Sequence, residues 1–309
     1  MLQILSVTAP IFILIAIGFL ATRAQLVTRE QIRGMGSFVI TLALPALIIK
    51  GMAERPFHEI VNVEFLLAYT AGSLLAFSLG FFIFRKRLKQ NVGSSAMAGL
   101  GMSASNSGFI GYPVAAMVVG PSAALGVAMA IMVETLVIIP MALAVAETGQ
   151  HSGAPRLVIL LRTARRLTKS PLIIAIATGL ILSLLEVELP LIAMQVIDML
   201  AGASAPVALF VIGGTLYGLK ARGLMADITQ IAVGKLVAHP IAIFLAFLLA
   251  PNMDPGLKTA GLLFASAPML SIYPIFGQRY GLEERCAAAL LVSTVLSFGT
   301  ISLMIGLLT

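Results

Sequence analysis

The chain has 309 residues, of which 59% are hydrophobic and 11% are charged, and its formal net charge is +7. A soluble domain carries about 25% charged residues, so this composition excludes an ordinary soluble globular protein and indicates an integral membrane protein. The single cysteine, Cys286, excludes an intramolecular disulfide and a cluster of thiolate metal ligands.

Apolar segments long enough to cross a bilayer follow one another along the chain, since a spanning helix needs about 20 residues. They predict an all-α protein with ten transmembrane helices. The predicted segments lie near 2–22, 31–53, 62–84, 93–119, 121–146, 170–188, 191–219, 227–250, 256–279 and 284–307. The polar connection 147–169 is the longest and separates two halves of five segments each, 1–146 and 170–309.

Lys and Arg residues are distributed unevenly over the connections. Sixteen of the 20 fall at the odd-numbered connections, which include the basic linker 147–169. The positive-inside rule therefore predicts that these connections are cytoplasmic and that both termini lie outside. Basic residues next to membrane spans are typical of topology anchors, so we expect no nucleic-acid partner.

The fourth segment contains the polar stretch Ser103-Ala-Ser-Asn-Ser-Gly-Phe-Ile-Gly-Tyr-Pro113 within an apolar run. Its Asn and Ser side chains compete with the helix for hydrogen bonds, its glycines loosen the backbone, and its proline lacks an amide donor. Such a segment is tolerated at membrane depth where protein buries it or where it lines a cavity. The stretch therefore predicts a broken helix.

The two halves of the chain repeat at a constant offset of 161 residues. The matched prolines are Pro10 with Pro171, Pro45 with Pro206, and Pro113 with Pro274. Five spans in each repeat require that the second half is inverted relative to the first. A second break is then predicted in the ninth segment, at Ser266-Ala-Pro-Met-Leu-Ser-Ile-Tyr-Pro274. Paired interrupted helices indicate a transporter with a site near the middle of the membrane, and their free N-terminal amides favour an anionic ligand.

The whole chain resembles the auxin efflux carrier family in its short bacterial form, and the sharpest match is Asn106-Ser-Gly-Phe-Ile-Gly111-Tyr-Pro113. This resemblance implies the fold of the bile-acid symporters, which has a scaffold domain and a transport domain whose helices 4 and 9 are broken and cross. It also implies alternating access by an elevator-like movement and a bacterial-type inner (plasma) membrane location. A homodimer through the scaffold domain is a further expectation from that fold.

The function that we predict is a secondary active carrier of small organic anions, such as carboxylates. The alternatives are a uniporter for an auxin-like or other apolar monocarboxylate, a sodium-coupled symporter, a channel and an intramembrane enzyme. A monocarboxylate fits slightly better, because neither broken segment contains Lys or Arg. The enzyme is disfavoured because the sequence has neither a His-Glu-x-x-His nor a Gly-x-Ser-x-Gly motif.

No cofactor and no metal ion are expected. A proton gradient or simple uniport is favoured over sodium coupling, because a sodium site needs several oxygen ligands and neither break contains a carboxylate. The expected partners are the organic anion and the lipid bilayer.

Candidate substrate-binding residues cluster at the two predicted breaks. They are Ser103, Asn106, Ser107, Gly108, Gly111, Pro113, Ser266, Pro268, Ser271, Tyr273 and Pro274. The amide of Asn106 can donate to a carboxylate, or its side chain can cap the half-helix that follows, and the two roles are compatible. The serines also fit ordinary contacts between membrane helices.

Glu134 lies deep in the fifth segment and is the candidate for proton coupling. An intramembrane carboxylate is a functional hypothesis by default, and apolar surroundings favour its protonated form. One possible partner for Glu134 is Lys235, which lies one turn before His239 in the eighth segment. For Lys235 and Asp198 themselves, the favoured interpretation is that the side chains extend to a membrane interface.

Overall fold

In the computed structural model, which describes residues 2–53, 61–149, 171–218, 225–278 and 280–308, the chain folds into α-helices. The first half forms α1 (Leu2–Arg23), α2 (Arg29–Ala53), α3 (Val63–Arg87), α4 (Val92–Ser103), α5 (Ser107–Val119) and α6 (Ser122–Thr148). The second half forms α7 (Pro171–Leu184), α8 (Leu191–Leu216), α9 (Met225–Phe247), α10 (Pro255–Ser266), α11 (Tyr273–Gln278) and α12 (Glu283–Leu308).

Six of these helices are long and apolar enough to cross a membrane by length and composition, namely α2, α3, α6, α8, α9 and α12. Shorter apolar helices accompany them, including α5 and α7. This all-helical architecture is consistent with an integral membrane protein. The helix α6 continues through Thr148, two residues into the predicted linker 147–169, and residues 150–169 of that linker lie outside the described residues.

Several helices begin where a short polar side chain caps the first turn. The Oδ1 atom of Asn62 accepts from the backbone N–H of Phe65 at 2.8 Å at the start of α3. At the start of α4, Asn91 Oδ1 accepts from Ser94 N at 2.7 Å. Such caps satisfy N–H groups that have no partner within the helix.

Wide π-helical turns interrupt several of the long helices ahead of a proline. Four of the five π-helical turns in the described part of the chain end two residues before a proline. The pairs are 39–43 with Pro45, 107–111 with Pro113, 134–138 with Pro140, and 234–238 with Pro240. Proline has no N–H, and its ring clashes with the carbonyl one turn back, so a locally wider turn accommodates it.

The helices pack in two sets. In one set, α1 packs along α8, α7 packs along α2, and α2 packs against α8. The other set surrounds the region where α4 and α10 end, and it consists of α3, α4, α6, α9, α10 and α12. Small residues allow a close approach of α1 and α8. A Cβ atom at Gly213 would overlap the backbone carbonyl of Ile15, and one at Gly18 would overlap that of Phe210. Small residues at helix contacts are typical of membrane proteins.

We expect Gly213→Ala to destabilise the protein by about 1–3 kcal/mol, because α1 and α8 would have to separate to admit the methyl group. The matched control is Gly202→Ala on the same helix, where a Cβ atom meets nothing within 4 Å. Thermal unfolding in detergent should show a lower Tm for Gly213→Ala and an unchanged or slightly higher Tm for Gly202→Ala. Equal Tm values for the two variants would contradict the packing described for α1 and α8.

Candidate functional site

Two non-helical segments face each other at the centre of the second helix set. Residues 104–106 separate α4 from α5, and residues 267–272 separate α10 from α11. Ser105 and Met269 form an isolated antiparallel bridge. The N–H of Asn106 donates to the carbonyl of Pro268 at 2.8 Å. We call this contact between the two breaks the crossing.

Asn106 occupies the crossing with both ends of its amide engaged. Its Oδ1 accepts from the N–H of Phe109 at 3.3 Å, so it caps α5. Its Nδ2 donates to Ser271 Oγ at 2.7 Å, and the residue is 4% exposed. The capping role considered for Asn106 is therefore present. The Nδ2 group has two N–H donors, one of which bonds Ser271, so a ligand carboxylate can accept from the other.

Glu134 reaches the crossing from α6. Its Oε1 accepts from Ser105 N at 3.1 Å and from Ser107 Oγ at 2.7 Å. The Tyr69 hydroxyl lies 3.5 Å from the same oxygen. The carboxylate therefore satisfies donors of the break between α4 and α5, and it is 3% exposed.

Lys235 reaches the crossing from the opposite side, on α9. Its Nζ donates to Ser105 Oγ at 2.9 Å and to the carbonyl of Ala265 at 2.6 Å. The same atom lies 2.9 Å from Nδ1 of His239, whose Nε2 lies 3.1 Å from Ser73 Oγ. The expectation that Lys235 extends to an interface is wrong, because its side chain is fully buried and its ammonium has acceptors inside the protein.

Glu134 and Lys235 are joined through Ser105, which donates its backbone N–H to the carboxylate and accepts from the ammonium at its hydroxyl. The structure thus places a buried cation beside the crossing, although neither broken segment contains Lys or Arg. Two opposite charges removed from water stabilise each other only when hydrogen bonds satisfy both, as they do here. By contrast, Asp198 forms an ion pair with Lys50 at 2.8 Å, and both side chains remain partly exposed.

The other predicted polar site residues form two groups: some bond to carbonyls of the helices, and others meet at the crossing. Ser103 and Ser266 donate to carbonyls of their own helices, those of Gly99 and Leu262, both at 2.8 Å. The Tyr273 hydroxyl donates to the carbonyl of Met97 at 2.8 Å. These three hydroxyl donors are engaged in helix contacts. Asn106, Ser107, Pro268 and Ser271 meet at the crossing.

The predicted glycines and prolines shape the helices next to the crossing. A Cβ atom at Gly111 would lie 2.9 Å from Cδ1 of Phe264, and one at Gly108 would lie 3.0 Å from Cδ1 of Leu44. Both glycines therefore allow close packing of α5. Pro113 is the second residue of the α-helical part of α5, Tyr112–Val119, and Pro274 is the second residue of α11.

Comparison with known proteins gives a family for the chain. A family model described as "Membrane transport protein" matches residues 3–305. The chain is 32% identical over 303 residues to a "Putative malonate transporter" of Rhizobium meliloti (strain 1021). The alignment covers 98% of this chain and 95% of that protein. It is 25% identical to the "Uncharacterized transporter YfdV" of Escherichia coli (strain K12), over 94% of this chain and 92% of that protein.

A more distant relative is the "Lysosomal cholesterol signaling protein" of Mus musculus, which is 23% identical over 93% of this chain and 35% of the mouse protein.

We expect Lys235→Met to destabilise the protein by about 3 kcal/mol or more, because it leaves the buried Glu134 without a nearby cation. The additional change Glu134→Gln should restore part of the loss, since a neutral amide needs no countercharge. The control is Lys258→Met, whose ammonium donates to the carbonyl of Pro251 at an exposed position. Chemical denaturation in detergent gives the comparison. If Lys235→Met and Lys258→Met unfold at the same denaturant concentration, the charges of Glu134 and Lys235 are not coupled.

Proposed function

Because this chain belongs to the membrane transport protein family, that of the auxin efflux carriers, we propose that it is a secondary active carrier of small organic anions whose substrate site is the crossing. The observation that carries this proposal is the contact between two broken helices, with the Asn106 amide and the Lys235 ammonium at the same place. Broken helices at membrane depth are the usual seat of a transported ligand.

The architecture that we propose has ten transmembrane helices in two inverted five-helix repeats, 1–146 and 170–309, joined by a cytoplasmic linker, 147–169. The set formed by α1, α2, α7 and α8 is the natural scaffold domain, and the set around the crossing is the natural transport domain. An elevator-like movement of the second set would expose the crossing to each side in turn. The basic connections support a cytoplasmic face with both termini outside, in an inner (plasma) membrane.

A small dicarboxylate is the substrate class that we propose, with malonate as the first compound to test. The name of the Rhizobium meliloti relative supports it. The chemistry of the crossing agrees, because the N-terminus of α5, the Nδ2 donor of Asn106 and the buried cation of Lys235 all favour negative charge. This cation weakens the sequence-based reason for favouring a monocarboxylate.

Proton coupling remains part of the proposal, with Glu134 as the group selected from the sequence. Sodium coupling is less favoured, because Lys235 already supplies a cation to the Ser105 hydroxyl and the Ala265 carbonyl, oxygens that a sodium ion would use. A homodimer through the scaffold domain stays an expectation from the fold.

We expect Asn106→Asp to lose malonate binding while keeping its helix cap, because a carboxylate can still accept from Phe109 N but repels an anion and donates nothing. The lost charge-assisted hydrogen bond is worth about 1.5–3 kcal/mol, so affinity should fall at least about tenfold. Two measurements apply: the rise in Tm with added malonate, and counterflow of labelled malonate into proteoliposomes.

The control for this prediction is Asn62→Ala, which removes an asparagine cap of the same kind, with Oδ1 accepting from the N–H three residues on, from the start of α3. It should lower the Tm without changing the malonate response. A malonate response that survives intact in Asn106→Asp would place the substrate elsewhere. A wild-type protein that responds to no carboxylate would refute the organic-anion proposal itself.

A further inference from the structure

A line of polar groups runs from the crossing through α9 to α3. It consists of Ser105 Oγ, Lys235 Nζ, the two ring nitrogens of His239, and Ser73 Oγ. The successive separations are 2.9, 2.9 and 3.1 Å. All four side chains are fully buried. Neither His239 nor Ser73 has a part in the substrate site proposed above.

The line is fully hydrogen-bonded when Lys235 is charged. An ammonium group has three N–H donors, and Lys235 meets three acceptors: Ser105 Oγ, the carbonyl of Ala265 and Nδ1 of His239. His239 is then neutral and carries its proton on Nε2, which donates to Ser73 Oγ.

The same contacts remain satisfied after the loss of one proton. The Nζ–H proton passes to Nδ1 of His239, the Nε2 proton passes to Ser73 Oγ, and the former hydroxyl proton of Ser73 leaves the line as the released proton. Lys235 is then a neutral amine that donates to Ser105 Oγ and Ala265 O and accepts from Nδ1–H at its lone pair. Ser73 O–H donates to Nε2. Two hydrogen bonds have reversed direction and none is lost.

Glu134 has no such freedom at the oxygen that faces the crossing. One donor to its Oε1 is the backbone N–H of Ser105, which cannot reverse, and another is the Ser107 hydroxyl at 2.7 Å. A proton on Oε1 would cost these bonds, which hold the break between α4 and α5. Oε1 therefore anchors the break, and a proton on Glu134 would have to sit on its other oxygen, Oε2.

We propose that the line formed by Lys235, His239 and Ser73 is the site that binds and releases the coupling proton. This inference rests on the proposed anion carrier and names its coupling site. With the proton bound, the charges of Lys235 and Glu134 cancel; after release, the negative charge of Glu134 remains. An anion binds better to the first state, and by linkage the proton binds better when the anion is present. Anion and proton would then move together, and malonate affinity rises as pH falls.

The groups that face this line from the surrounding helices are consistent with such a site. Glu134 of α6 faces Lys235 through Ser105. The ring of Tyr69 on α3 lies edge-on to that of His239, with centroids 6.1 Å apart. From α10 the contact is the carbonyl of Ala265. Glu134 and Tyr69 are the titratable neighbours that the described contacts show for the line.

The test is nitrogen-15 NMR of histidine-labelled protein in detergent, without substrate, over a range of pH. His239 is assigned as the signal missing from His239→Gln among the three histidines of the chain. In the wild type, the protonated nitrogen should change from Nε2 to Nδ1 as pH rises, so the two resonances exchange their shift ranges. In Lys235→Arg, whose side chain stays charged, Nε2 should remain protonated throughout. Glu134→Gln should keep a tautomer change, displaced in pH.

A His239 tautomer that does not change with pH in the wild type would overturn the proposal, and so would an identical change in Lys235→Arg. Disappearance of the change in a folded Glu134→Gln would move the proton site to Glu134. If Lys235→Arg fails to fold, Ser73→Ala serves instead, because removal of the hydroxyl donor to Nε2 should suppress the Nδ1–H form. None of these outcomes depends on the identity of the substrate.

Calorimetric titration with malonate in two buffers of different ionisation enthalpy provides the link to transport. Net proton uptake is expected in the wild type and should be lost in Lys235→Arg. Malonate binding without proton uptake would refute the coupling role and leave the carrier proposal intact, whereas absence of any binding would count against malonate as the substrate.

Discussion

The backbone groups freed at two broken helices are the constraint on which the rest of this structure depends. Inside a membrane, an N–H or C=O group without a partner costs several kcal/mol, and water cannot supply the missing bond. At the crossing, each break supplies part of what the other lacks, since the N–H of Asn106 bonds the carbonyl of Pro268. Side chains complete the pairing. Glu134 accepts from the N–H of Ser105, and Lys235 donates to the carbonyl of Ala265.

The buried charges and the breaks therefore require each other. An isolated carboxylate or ammonium in an apolar interior is unfavourable unless it is paired and hydrogen-bonded. Here the unpaired backbone groups are the partners that make both charges tolerable, and Ser105 serves the two at once. Such an arrangement also explains how a helix broken in the interior of the protein can remain ordered. A displacement of Ser105 would change the hydrogen bonds of both charges, which ties the state of the proposed substrate site to the state of the ionisable groups.

The sequence predicted the breaks better than it predicted what fills them. Local chemistry was sufficient for the first break, because Asn106, the glycines and Pro113 are poor in a helix, and the repeat register placed the second break near Pro268. Glu134 was recognisable as a carboxylate far inside an apolar run. Lys235 was misjudged, because a lysine in a membrane helix can extend to an interface or point inward, and the choice depends on which face of α9 packs against the crossing. That face is decided by contacts with residues 130 positions away in sequence, such as Ser105.

One local signal for these inward charges was nevertheless present in the sequence. Glu134 opens the π-helical turn ahead of Pro140, and Lys235 lies in the turn ahead of Pro240. The break between α4 and α5 is also followed by such a turn, 107–111, ahead of Pro113. A π-helical turn shifts the angular position of every side chain beyond it, so a proline five or six residues after a charged group marks a place where ordinary helical periodicity fails. If α6 and α9 are treated as uniform α-helices, side chains on the two sides of each wide turn are assigned to the wrong relative faces of the helix. The inward position of Glu134 and Lys235 is then missed.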